Sequence, residues 1–76
     1  MQIFFYAFHQ PNLPINTYRI MQFNASETYD VYEINNRFIG KISRDNGKWE
    51  QNTGGKIPQK LVDSIGLHID SNKLWI

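Results

Sequence analysis

The sequence predicts an α+β domain, an antiparallel meander of four or five strands with one C-terminal helix packed on one face. Three observations carry that expectation. Between Tyr29 and Asn52, two strand-like runs and the start of a third are punctuated by Asn35-Asn36 and by Asp45-Asn46-Gly47. Short runs joined by such turn residues read as successive hairpins. After Pro58 the period changes, and Leu61, Val62, Ile65 and Ile69 recur at helical spacing. The chain of 76 residues contains no cysteine, so a single core of one layer pair must hold residues 1–76 together as one domain, without disulfides or thiolate metal sites.

The first expected strand is Gln2 to Phe8. Its Phe, Tyr and Ile content suits a pleated surface, but Ile3, Phe4, Phe5 and Tyr6 are consecutive, which implies a strand apolar on both sides. The run is too short for a membrane span, lacks a basic flank and is followed by no small-residue cleavage pattern, so it is expected to be neither anchor nor signal peptide. His9 to Asn16 holds Pro11 and Pro14 and should be a loop. Thr17 to Phe23 forms a second strand, with Tyr18, Ile20 and Gln22 on one side and Arg19, Met21 and Phe23 on the other.

A polar turn over Asn24 to Thr28 leads to strands at Tyr29 to Ile34 and Arg37 to Ser43. A two-residue loop at Asn35-Asn36 pairs Tyr32 with Ile39, Val31 with Gly40, Asp30 with Lys41 and Tyr29 with Ile42. Tyr29, Val31, Phe38 and Ile42 then make a core side, and Tyr32, Ile34, Arg37, Ile39 and Lys41 the opposite one; a three-residue loop would alter that facing. Asp45-Asn46-Gly47 delivers a short fifth strand over Lys48 to Asn52, carrying Trp49. Gly54-Gly55 lies in a connection from Asn52 to Lys56. Pro58 suits a first helical position. Gly66 within the helix implies close approach to the sheet, Leu67 points away from the apolar stripe, and Asn72 ends the helix before an apolar tail, Lys73-Leu74-Trp75-Ile76.

The segments Val31-Tyr32-Glu33-Ile34, Phe38-Ile39-Gly40-Lys41-Ile42, Gly47-Lys48-Trp49, Ile57-Pro58 and Leu61-Val62-Asp63-Ser64-Ile65-Gly66 together resemble a group of small uncharacterised proteins of Bacteroidota over residues 29–70. The resemblance implies a strand meander followed by a helix. Its markers are structural, and it implies no activity, cofactor or site residue.

Candidate chemistry is sparse. His9 and His68 lack ligand-like spacing, Ser43 and Ser64 lack a nucleophile turn, and Gly54-Gly55-Lys56 lacks the spacing and hydroxyl of a phosphate-binding loop. Glu33 and Glu50 have no expected pocket around them. No enzyme activity, metal or cofactor is therefore expected. The net charge is +1, but residues 37–60 hold Arg37, Lys41, Arg44, Lys48, Lys56 and Lys60 against Asp45 and Glu50. Arg37, Lys41, Arg44 and Lys48, with Tyr32 on the same hairpin, make single-stranded nucleic acid one expected partner, through stacking and phosphate contact.

Protein contact is the leading expectation. One helix covers one face of the sheet, which leaves Tyr32, Ile34 and Ile39 for the other, with Leu67, Leu74 and Trp75 as further apolar surface. A small adaptor or inhibitor that binds a protein or a second copy of itself, through an uncovered face or a sheet edge, fits these residues. A purely structural self-associating domain also fits. So does a tail folded under the sheet with Tyr32 an ordinary half-exposed aromatic. The absence of cysteine is compatible with a reducing cytoplasm.

Overall fold

The computed structural model describes residues 1–23, 28–53 and 57–74. Five strands, β1 (Gln2–Phe8), β2 (Asn16–Gln22), β3 (Thr28–Glu33), β4 (Phe38–Asp45) and β5 (Lys48–Thr53), precede one helix, α1 (Gln59–Asn72). The sheet is an antiparallel meander in the order β1-β2-β3-β4-β5, so β1 and β5 are its edges. The expected turn residues Asn24 to Glu27, the connecting residues Gly54 to Lys56, and Trp75 and Ile76 of the tail lie outside the described residues.

Alternation along each strand sends one set of side chains under α1 and the other to the opposite, open face. The register Phe4↔Ile20↔Val31, together with Tyr29↔Ile42, builds the sheet side of the core. The helix supplies Leu61, Val62, Ile65 and Ile69 from one stripe. Each such aliphatic side chain, fully withdrawn from water, contributes roughly 1.5–3 kcal/mol. Gly66 lies directly against the Trp49 indole: a Cβ there would sit 2.3 Å from two ring carbons. The close approach expected at Gly66 is thus made by β5.

The β4–β5 turn places Asn46 and Gly47 at φ 54° and 78°, the two positive values a type I′ hairpin needs. The β3–β4 connection differs from the expected two-residue loop. The Glu33 amide donates to the Arg37 carbonyl at 2.8 Å, and the Asn36 amide donates to the Glu33 carbonyl at 2.9 Å, so the loop is Ile34-Asn35-Asn36, with Asn36 at φ 72°. Tyr32 therefore pairs with Phe38. Ile39 is an extra residue in a bulge, after which the expected pairs Val31↔Gly40, Asp30↔Lys41 and Tyr29↔Ile42 hold. The loop and the bulge correct one another, and the two residues between them exchange faces. Phe38, expected in the core, stands on the open face with 41% of its surface exposed. Ile39, expected on that face as an interface residue, is 7% exposed within the core.

Pro58 precedes the helix at its N-cap position, its carbonyl accepting from Leu61 at 3.0 Å and Val62 at 3.1 Å. The C-terminus closes on Lys73 in a left-handed conformation, with the Leu74 amide donating to the Ile69 carbonyl at 2.9 Å. Asp70 ties α1 to β4 and β5, accepting from Arg44 at 2.8 Å and from the Trp49 indole N–H at 3.0 Å. On the β1 side the links are aromatic and polar. Tyr6 shares a hydrogen bond with Ser64, His68 packs 5.0 Å from the Tyr6 ring centre, and Gln2 donates to the Leu74 carbonyl.

Candidate binding surface

The open face divides along its length. On the β1–β2 half, Ile3 stands opposite Met21, Phe5 opposite Arg19 and Ala7 opposite Thr17. Ile3 and Phe5 are 47% and 58% exposed, and Phe23 just beyond β2 is exposed as well. Arg19 is the one charged residue of β1 and β2. On the β3–β5 half the register sets Asp30 opposite Lys41, Ser43 opposite Glu50 and Asp45 opposite Lys48. Asp30 is buried and accepts the Lys41 ammonium at 3.3 Å. One half is apolar around a single guanidinium, and the other carries charged residues of both signs, with Tyr32 and Phe38 at its β3–β4 loop end.

Arg19 is held flat by its neighbours. Its guanidinium carbon lies 4.6 Å from the Tyr32 ring centre, and Tyr32 in turn meets Phe38 edge-on at 5.4 Å. One terminal nitrogen donates to the Asn36 side chain, while Nε is shut off from solvent with no hydrogen-bond partner. Stacking on an aromatic face is the geometry in which arginine tolerates partial loss of water. The result is a contiguous row of Phe5, Arg19, Tyr32 and Phe38 across four strands.

The two edges differ as sharply as the two halves. The seven residues of β1, Gln-Ile-Phe-Phe-Tyr-Ala-Phe, include no charge, proline or glycine. Among the described residues nothing pairs with its outer side. An edge strand carries a row of backbone donors and acceptors turned outward, and natural sheets ordinarily blunt it with charge, proline or a bulge. β5 has such defences. It carries Lys48 and Glu50, contains an irregularity opposite Lys41 and Ile42, and has its Trp49 carbonyl taken by Gln59 at 3.3 Å.

The residues singled out from sequence fall in several places. Tyr32 lies on the open face as part of that row. Ile34 is exposed in the β3–β4 loop and, with Ile15, walls an open cavity of about 360 Å³ that also receives Tyr18 and Glu33. Burial, and then the Glu33 carboxylate, push the Tyr18 phenol above its usual value. Leu67 is 68% exposed on the outer side of α1, far from the open face in the layer order. Leu74 packs against the core and its carbonyl accepts from Tyr29 at 2.6 Å. Trp75 lies outside the described residues.

The four cations considered for nucleic acid do not gather. Arg44 lies on the helix side with Asp70, Lys41 pairs with Asp30, Arg37 sits 3.5 Å from Glu33 at one end of the hairpin, and Lys48 stands at the other. Among the described residues no three His, Asp or Glu side chains converge as a metal site would require. No helix among them is long and apolar enough to cross a membrane.

Sequence reasoning placed Arg19, Met21 and Phe23 on one side of β2 but did not single out Ile3, Phe5 or Arg19. A usable signal was present: in a meander the first strand is an edge, and Gln2–Phe8 holds none of the residues that defend one. Comparison with protein-family models, with curated proteins and with solved structures finds no match.

Proposed function

We propose that this chain is a non-enzymatic protein-binding module, an adaptor or inhibitor, that engages its partner through the β1 edge and the adjoining half of the open face. One observation carries the reading. A seven-residue edge strand without charge or proline turns its own Ile3 and Phe5 to the open face, and main-chain pairing along it would join directly onto an apolar patch. Edge pairing supplies affinity through backbone hydrogen bonds, and side-chain contacts on the patch supply selectivity. Arg19, already stacked and partly desolvated, offers a preorganised donor at the margin of that patch.

Support for single-stranded nucleic acid is thinner. Three of its four candidate cations already face carboxylates, and Arg44 lies across the sheet from Tyr32. Leu67 and Leu74 are separated from the β1 patch by the thickness of the domain and are not needed for the reading.

Photo-crosslinking in cells that express the chain tests it. A benzophenone side chain at Phe5 is expected to capture protein, and the same group at Glu50 on the opposite edge is not. No adduct at position 5, or equal capture at 5 and 50, contradicts the assignment.

A further inference from the structure

We infer that the occupant of the β1 edge is a second copy of this chain, paired antiparallel across a two-fold axis at Phe5. The inference rests on the reading of β1 as the association edge and adds the identity of the partner. Its first support is charge. Gln2–Phe8 has no ionised side chain, so aligning the strand with its own copy brings no like charges face to face. Its second is size. With Phe5 on the axis all seven residues overlap, and each pair is fixed by symmetry: Gln2 with Phe8, Ile3 with Ala7, Phe4 with Tyr6, and Phe5 with itself.

On the open face this register sets a large residue against a small one on either side of the central Phe5 pair. On the helix side it sets Phe4 against Tyr6, an aromatic cross-strand pair of the kind that stabilises sheets. An axis normal to the sheet places both helices on one side and both apolar half-faces on the other. Two five-stranded sheets become one of ten strands, and the outward backbone groups of both copies are satisfied by the same contact, as an isologous interface demands. A foreign strand could satisfy the same backbone groups; the chain's own copy is favoured because it meets β1 with no like charges opposed, with Phe4 against Tyr6 and with Ile3 against Ala7.

A seven-residue edge contact is smaller than the roughly 1,200–2,000 Å² of a standard interface. A contact of this size belongs with weak, reversible association, and the micromolar range is where its equilibrium is sought.

Sedimentation equilibrium of the full chain from about 1 to about 100 μM is expected to show the mass rising from monomer to dimer. Ile3→Lys combined with Ala7→Lys sets like charges opposite in the inferred register and should weaken the dimer at least about tenfold. Ile3→Glu with Ala7→Glu should do the same at the opposite net charge. Ile3→Lys with Ala7→Glu sets opposite charges across the axis and should hold the dimer within about threefold of the parent chain. Both positions are exposed, and circular dichroism confirms that each variant is folded; the mass curve of the unaltered chain stands without any variant. A monomer throughout the range, or a dimer indifferent to the charge pattern, overturns self-pairing. If the chain is a monomer and crosslinks from position 5 reach a different protein, self-pairing falls while the binding-module reading stands; if nothing is captured either, both fall.

Discussion

β1 and β5 bound the same sheet and lie under the same helix, yet they are built on opposite plans. β5 is anchored: Trp49 lies on Gly66, its indole donates to Asp70, its carbonyl accepts from Gln59, and the Gln51 side chain accepts from the Ile57 amide at 2.8 Å. Its charged residues face the open side. β1 is held under the helix by alternate residues alone, through Tyr6 with Ser64 and Phe4 and Tyr6 around His68, while Ile3, Phe5 and Ala7 are left to solvent. The difference shows that aromatic content does not decide whether a strand is structural or available. Trp49 and Phe5 are both large aromatics on edge strands, and what separates them is the face onto which alternation turns them.

The largest expected effect tests that separation through stability. Trp49→Ala removes the side chain that fills the gap beside Gly66 and should cost about 3–5 kcal/mol in urea denaturation. Phe5→Ala, on an exposed position, should stay within about 0.5 kcal/mol. Comparable losses at both would dissolve the distinction between the edges.

Next in size is Gly66→Ala. The added methyl meets the Trp49 ring at 2.3 Å, and overpacking of this kind costs about 1–3 kcal/mol. In a Trp49→Ala background the same substitution should be neutral to stabilising by about 1 kcal/mol, because the obstructing ring is gone and alanine is the better helix former, and a double-mutant cycle measures the coupling. A penalty that persists without the indole would mean the helix and β5 approach one another differently.

The smallest effect lies at the β2–β3 end. Burial, and secondarily Glu33, raise the Tyr18 phenol above its ordinary value of 10.0, so the folded chain holds that proton more tightly than the unfolded one. The resulting stabilisation is complete below the unfolded value and is lost as pH rises through the folded one. Stability should therefore decline above about pH 10, and Tyr18→Phe should remove part of the decline, as read from urea midpoints on either side of that pH. An unchanged pH profile in the variant would place the linkage elsewhere.

Most of the architecture was legible in the sequence because its turns are chemically marked. Asn46-Gly47 gives a type I′ turn, the two prolines give the β1–β2 loop, and the spacing from Leu61 to Ile69 gives α1 and its buried stripe. Phe38 and Ile39 were not legible. Asn35-Asn36 is compatible with loops of two or three residues, and the bulge that restores register beyond Ile39 is set by tertiary packing, since the choice puts Ile39 into the core at the expense of Phe38. The candidate surface was legible only in kind. One helix leaves one sheet face open, but which residues occupy it depends on the register of every strand, and the β1–β2 register aligns Phe5 with Arg19 across a loop whose length alone does not specify pairing.

The most direct test is amide hydrogen exchange, residue by residue, on the purified chain when dilute and when concentrated. The outward amides of β1 should become protected as concentration rises, while those of β5 exchange at the same rate in both samples. Protection that appears along β5, or along neither edge, would contradict self-pairing along Gln2–Phe8.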